Sequence, residues 1–289
     1  KKKNKKERTE KPMKKIDDKI KQGVVNTLKV NRVSEPGIYL ISGDETEVLL
    51  PNAYVKKEMA IDSLLDVFIY TDSEDRLVAT TLKPYLYLNE FANLKIVDSA
   101  KFGYFVDIGL PKDLLVPKNR QKGTYNIGSY KVLQMQFDER TSRLIASEKY
   151  ILEEEPKNLK QGDEVEIILY SKTPLGFKVI VNNLFDGMIF HSEIFENLKI
   201  GDKKRAYIKN LREDKKLDIS LQKIGEKVDS NKVLEILKAN GGVLNFTYKS
   251  DAEDIKNMFA MSKKAFKATL TKLIDEKKIN LENDRICLI

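Results

Sequence analysis

Cysteine and histidine are almost missing from this chain. Among 289 residues there is one Cys, Cys287, and one His, His191. A lone cysteine excludes an internal disulfide and fits a reducing, cytoplasmic setting. One His and one Cys, nearly a hundred positions apart, also leave no Cys/His zinc set and no nucleophilic Cys–His pair. No apolar run approaches the roughly 20 residues that a membrane-spanning helix needs, and the first 22 residues hold no apolar stretch of the kind a signal peptide requires. There is no Gly-x-x-x-x-Gly-Lys-Ser/Thr phosphate loop and no Gly-x-Gly-x-x-Gly. The many carboxylates lie in turns beside Lys, as solvated surface does. These absences point away from an enzyme, and no cofactor, metal or small-molecule substrate is expected.

What is present is a repeat. Gly37-Ile38-Tyr39, Gly103-Tyr104-Phe105 and Gly176-Phe177-Lys178 start 66 and then 73 residues apart. Downstream marks hold the same offsets. Pro51, Pro117 and Phe190 each end an apolar run, and Ile61, Ile127 and Ile200 are read as opening the next strand. Each unit closes alike, with Arg76-Leu77-Val78-Ala79-Thr80, Arg143-Leu144-Ile145-Ala146-Ser147 and Lys216-Leu217-Asp218-Ile219-Ser220. A period this long suits a small autonomous domain rather than a solenoid.

Within a unit the pattern reads as five short strands. In the first these are Thr27–Val30, Ile38–Ile41, Glu47–Leu50, Asp66–Tyr70 and Arg76–Thr80. Five strands in about 65 residues cannot leave two edges bare, and closing them into a small barrel removes the edges. After Gly225 the period changes. Asn231–Ala239 is predicted helical and stopped by Asn240-Gly241-Gly242. Ser250-Asp251-Ala252-Glu253 reads as a capping box for a helix with Ile255 and Met258 inward, and Ser262 caps a third helix carrying Phe266, Leu270, Leu273 and Ile274. A hairpin around Glu282-Asn283-Asp284 completes a winged-helix pattern. The expected fold is multidomain and mainly β, with three tandem five-stranded OB-fold barrels followed by an α+β winged-helix domain. The expected limits are a basic tail 1–22, barrels 23–90, 91–156 and 157–225, and the winged helix 226–289. Glu153-Glu154-Glu155-Pro156 reads as a linker.

Charge is unevenly placed. The net charge is +8, and residues 1–22, with ten Lys and one Arg against four acids, hold +7 of it. Such a tail either assists phosphate binding or serves as a solvated extension, with acidic lipids a distant third reading. An OB barrel holds single strands by stacking bases on aromatics and neutralising the backbone. The repeats place suitable groups in register: Phe102, Phe105, Asp138 and Arg143 in unit two; Tyr39, Asp72 and Arg76 in unit one; Phe177, Lys178, Phe190 and Lys216 in unit three. Each has a plainer reading, as core aromatic or strand-pair salt bridge, and His191 reads as an ordinary surface residue. On the third helix of the last domain, Ser262, Lys263, Lys264 and Lys267 could meet nucleic acid, but Lys offers point charge rather than bidentate base readout.

The units resemble the RNA-binding motif named after ribosomal protein S-one. Unit two carries the likeness best, in Phe102-Gly103-Tyr104-Phe105-Val106-Asp107-Ile108-Gly109 and Arg143-Leu144-Ile145-Ala146-Ser147. The resemblance implies that Phe102, Phe105, Asp138 and Arg143 take RNA-contacting positions. The motif's His slot holds Pro51, Pro117 and Phe190, Pro36 replaces the first Phe of unit one, and Leu175 does so in unit three. Over about 23–289 the chain resembles the conserved virulence factor B family of bacteria, most sharply in Val67–Arg76, Ala79–Pro84 and Met261–Lys267. That resemblance implies an RNA-binding regulator. The partners expected are single-stranded RNA and, as the second reading, DNA through the winged helix of a transcriptional regulator; a third reading is a protein-binding scaffold. No membrane partner is expected.

Overall fold

The computed structural model describes residues 14–223 and 230–289. Most of the expected basic tail, and the boundary near residue 225, lie outside the described residues. The chain divides into two compact units, 1–150 and 151–289.

The first unit opens with a closed barrel of β1 (Val25–Ser34), β2 (Gly37–Ile41), β3 (Glu47–Pro51), β4 (Leu64–Thr71) and β5 (Leu77–Thr80), in the order β1-β2-β3-β5-β4. Alternation sends Leu28, Val30, Ile38, Leu40, Val48 and Leu50 inward, all 3% exposed or less. A bulge between Val30 and Arg32 lets the long β1 pair with β2 along one half and β4 along the other. That bend closes the sheet. The same bulge recurs between Ile96 and Asp98, and between Leu169 and Ser171.

The repeated glycine has a steric cause. A Cβ on Gly37, Gly103 or Gly176 would lie 2.1, 2.3 and 1.9 Å from the carbonyl oxygens of Leu50, Val116 and Ile189. The second strand of each barrel therefore begins against the backbone of the third, where only glycine fits.

Residues 14–22, assigned to the tail by sequence, are instead laid on this barrel. Asp17 exchanges hydrogen bonds with the Thr27 backbone (2.9 and 2.7 Å), and Lys14 pairs with Asp66 at 2.6 Å.

The second sheet comprises β6 (Phe91–Ala100), β7 (Gly103–Val106), β8 (Leu114–Pro117), β9 (Tyr130–Asp138) and β10 (Arg143–Ser147), in the order β10-β9-β6-β7-β8. It departs from the expected closed barrel, because β8 and β10 lie side by side without a ladder. This seam is short in the other barrels too: one residue pair, Leu49 with Val78, in the first and two in the third. In the second it is filled by side chains, with Leu114 and Leu144 both buried. The same core runs on into the first barrel, whose Phe68, Tyr70 and Val78 join it from the outer face of β4 and β5.

In the second unit, β11 (Glu164–Thr173), β12 (Gly176–Val181), β13 (Phe185–Phe190), β14 (Lys203–Leu211) and β15 (Leu217–Ser220) again form a closed barrel. The acidic segment read as a linker is docked on it. Glu153 bridges to Phe185, and Glu155 pairs with Lys215. Ile61, Ile127 and Ile200 do not open strands; they sit exposed in the turns just before β4, β9 and β14.

The chain ends in α1 (Ser230–Ala239), β16 (Val243–Leu244), α2 (Ala252–Phe259), α3 (Lys263–Asp275), β17 (Ile279–Glu282) and β18 (Arg285–Leu288), with a sheet ordered β16-β18-β17. Stacked Phe259 and Phe266, 4.7 Å apart, centre its core. The cap of α2 is Asp251, which accepts from the Glu253 N–H at 2.7 Å, rather than Ser250, whose hydroxyl accepts from Thr247. Phe259, four residues after buried Ile255, is the residue turned inward, and Met258 is exposed. Ser262 caps α3 as expected. Among the described residues no helix is long and apolar enough to cross a membrane.

Candidate nucleic-acid interface

Strand alternation decides which side chain of each repeat faces out. One residue after the repeated glycine the side chain turns toward the core: Ile38 and Phe177 are buried there, 3% and 7% exposed. Two residues after it, Tyr39, Phe105 and Lys178 are partly exposed. Phe177 is thus corrected from a stacking surface to a core residue of the third barrel. The true counterpart of Phe105 is Lys178.

In the second barrel the four expected residues come together. Phe102 is 60% exposed, and its ring stands edge-on to Phe105 at 6.0 Å. Both line a groove of about 650 Å³ with Asp138 and Arg143. Asp138 accepts from the Thr141 hydroxyl at 2.8 Å and the Arg140 N–H at 3.3 Å, so its own turn orients it. Asp113, also on the rim, is pushed above the usual carboxylate range, first by burial and then by Asp107 and Asp98.

The opposite wall comes from the first barrel and was not foreseen. Tyr70, Thr71, Ser73 and Asp75 line the groove together with Lys112. Arg143 pairs with Asp75, and Lys112 lies 3.4 Å from the same carboxylate while donating to the Asp72 carbonyl at 2.5 Å. Asp75 and Arg143 stand 68 positions apart in sequence. No local periodicity signals such a pair.

The first barrel's own residues are engaged locally. Asp72 and Arg76 pair at 2.7 Å, Arg76 also reaches Glu74 at 2.9 Å, and the Arg32 guanidinium lies 3.7 Å over the Tyr39 ring. Arg32 was missed by sequence although it sits directly across from Tyr39 in the β1–β2 register. In the third barrel Lys178, Phe190 and Lys216 line a smaller cleft of about 220 Å³ with Leu175 at its mouth. Arg212, also missed, covers the Phe190 ring at 5.3 Å and pairs with Asp218 at 2.8 Å.

On the winged helix, Lys264 and Lys267 are exposed on α3. Ser262 is occupied as the cap, accepting from Ala265 at 3.1 Å, and Lys263 turns back to the Lys249 carbonyl at 3.3 Å.

Family models match the two ends of this layout. An S1 domain model matches residues 22–82, and a CvfB-like winged helix domain model matches residues 231–288. An uncharacterized protein of Bacillus subtilis, YitL, is 28% identical over 92% of this chain and 93% of its own length. Conserved virulence factor B of Staphylococcus epidermidis is 25% identical over 86% of this chain and 89% of its own. That of Staphylococcus aureus USA300 is also 25% identical, over 86% and 88%. A crystal structure of a multidomain protein with nucleic acid binding domains from Streptococcus pneumoniae aligns over 93% of this chain and 98% of that one, at 23% identity and a TM-score of 0.44. The S1 and winged-helix domains indicate nucleic-acid binding. Carrying an S1 domain near one end and a CvfB-like winged helix at the other, and aligned almost throughout with YitL and conserved virulence factor B, the chain is similar to those proteins along most of its length.

Proposed function

We propose that this chain is a cytoplasmic RNA-binding regulator that holds single-stranded RNA on the outer faces of its barrels, with the groove of the second barrel as the principal site. The three barrels would span 23–90, 91–156 and 157–225, the first two sharing a core and a groove, followed by the winged helix. One observation carries the reading: Phe102, Phe105, Asp138 and Arg143, which a single strand needs as stacking and charge partners, line one groove. The exposed Phe102 ring presents a face on which a base stacks, and stacking accepts any base. A continuous duplex cannot insert a base between such rings, so unpaired strands are favoured. The weaker faces of Tyr39 and of Lys178, Phe190 and Lys216 add to this by tethering, which raises the effective concentration of one site once another is bound. Neither domain type implies a catalytic step.

Fluorescence anisotropy of the full chain with a labelled single-stranded RNA, against the same sequence as duplex DNA, tests the reading. Preference for the single strand, falling with salt, is expected; equal or tighter duplex binding overturns it. The rival, a DNA-binding transcriptional regulator, draws on the exposed Lys264 and Lys267 of α3. A Lys264→Ala, Lys267→Ala chain that loses duplex binding while keeping RNA binding would assign that helix to DNA.

A further inference from the structure

We infer that Asp75, a residue of the first barrel, belongs to the nucleic-acid site of the second and holds its affinity down by standing in for a phosphate. The inference rests on the reading just given. Asp75 closes the turn between β4 and β5, and its carboxylate meets two of the four cations that line the groove, Arg143 and Lys112, leaving Lys118 and Arg140. The two bring their charge to one carboxylate, as they would to a backbone phosphate. None of the three side chains is deeply buried: Arg143 is 52%, Asp75 43% and Lys112 34% exposed. The pairs are therefore weak enough to exchange. An entering strand must displace one carboxylate to use these two cations.

Geometry also fixes which partner is replaceable. Lys112 is held independently of Asp75, donating to Thr71 Oγ1 at 3.2 Å and to the Asp72 carbonyl. Removing the Asp75 charge therefore leaves the lysine in the groove. Arg143 begins β10 opposite Asp138, so the ladder keeps its backbone at the groove and its guanidinium within reach of a strand there when Asp75 is neutral. Asp75 has a φ of 62°. Asn tolerates that left-handed conformation well, whereas β-branched or bulky residues do not. Asp75→Asn thus removes charge with little cost in backbone strain.

The test is anisotropy of full-length protein with a labelled single-stranded RNA at several salt concentrations. The variants are Asp75→Asn, Arg143→Ala with Lys112→Ala, the combination of all three, and Phe102→Ala with Phe105→Ala. Asp75→Asn should bind roughly threefold to tenfold tighter at low salt, the scale of two exposed ion pairs. Its salt dependence should steepen by about 0.7 in log–log slope for each cation that gains a phosphate. The gain should vanish when Arg143 and Lys112 are already Ala, which a merely structural effect on the turn would not do. Unchanged or weaker binding by Asp75→Asn, while the Phe pair still matters, overturns the inference and leaves the groove reading intact. If the Phe pair also has no effect, the groove reading itself fails.

Discussion

The second and third barrels share a scaffold, yet their outer faces differ. Both place a cation where the last strand begins, Arg143 as its first residue and Lys216 just before it, and both begin the second strand with a glycine wedged against a carbonyl. In the second barrel the positions flanking that strand's entry are Phe102 and Phe105; in the third they are Leu175 and Lys178. The open volume follows, about 650 Å³ against about 220 Å³. Depth in the second groove is not supplied by its own strands alone, since the first barrel's β4–β5 turn forms one wall. Duplicating a barrel copies the frame. A binding site needs, in addition, rings at the outward positions and a neighbour to wall the groove.

Removing those rings tests this contrast most severely. Phe102→Ala with Phe105→Ala should weaken single-stranded RNA binding by about 1–3 kcal/mol for each stacked base, with thermal stability little changed because Phe102 is exposed and Phe105 half-buried. Leu175→Ala with Phe190→Ala should cost far less. Anisotropy titrations of both variants decide it, and equal losses would mean that the barrels contribute alike.

The shared frame can be broken as well. Gly176→Ala puts a methyl 1.9 Å from the Ile189 carbonyl at a φ of 148°. Backbone must move, and overpacking of this kind costs about 1–3 kcal/mol or more. Calorimetry should show a lower Tm for Gly176→Ala, whereas Gly123→Ala, with nothing near its Cβ, should lose only what its positive φ costs.

These glycines explain what was readable in sequence. Their spacing, and the apolar runs beside them, reflect sterics local to each barrel, so five strands per unit followed from the pattern, and the winged helix from its own caps and helical periodicity. Alternation alone separates Tyr39 and Phe105 from Ile38. Phe177 was misassigned because an aromatic next to glycine resembles the motif whichever face it occupies. Asp75 and Lys112 escaped because they meet Arg143 only through the packing of one barrel on another. Counted from Asp138 to Arg143, the β9–β10 turn is one residue longer than the β4–β5 turn counted from Asp72 to Arg76. Asp72 and Arg76 are four apart and pair, whereas in the longer turn Asp138 takes Thr141 and leaves Arg143 for Asp75.

Grafting sharpens the comparison by a smaller step. In a chain already carrying Phe102→Ala and Phe105→Ala, Leu175→Phe with Lys178→Phe should recover part of the lost affinity, roughly threefold, because one cation is exchanged for stacking without a facing wall. The recovered binding should also be less steep in salt. No recovery would show that the third cleft is too shallow to admit a base whatever lines it.

The smallest expected effect concerns the first barrel, whose pair is closed on itself. Burial pushes the Asp72 carboxyl up, but the Arg76 guanidinium and the backbone N–H groups of Arg76 and Glu74 outweigh it and hold it below the usual carboxylate range. A lowered folded-state pKa contributes stability at pH above the unfolded value, near 3.9, and loses it as pH falls through the folded one. Arg76 is 67% exposed, so solvent screening keeps the pair's contribution small. Asp72→Asn should therefore lower Tm slightly at pH 7 and progressively less below pH 4, where wild type loses the same contribution. Thermal melts across that range measure it. A deficit that persists in acid would mean that Asp72 acts through its backbone hydrogen bonds, which Asn keeps only in part, rather than through its charge.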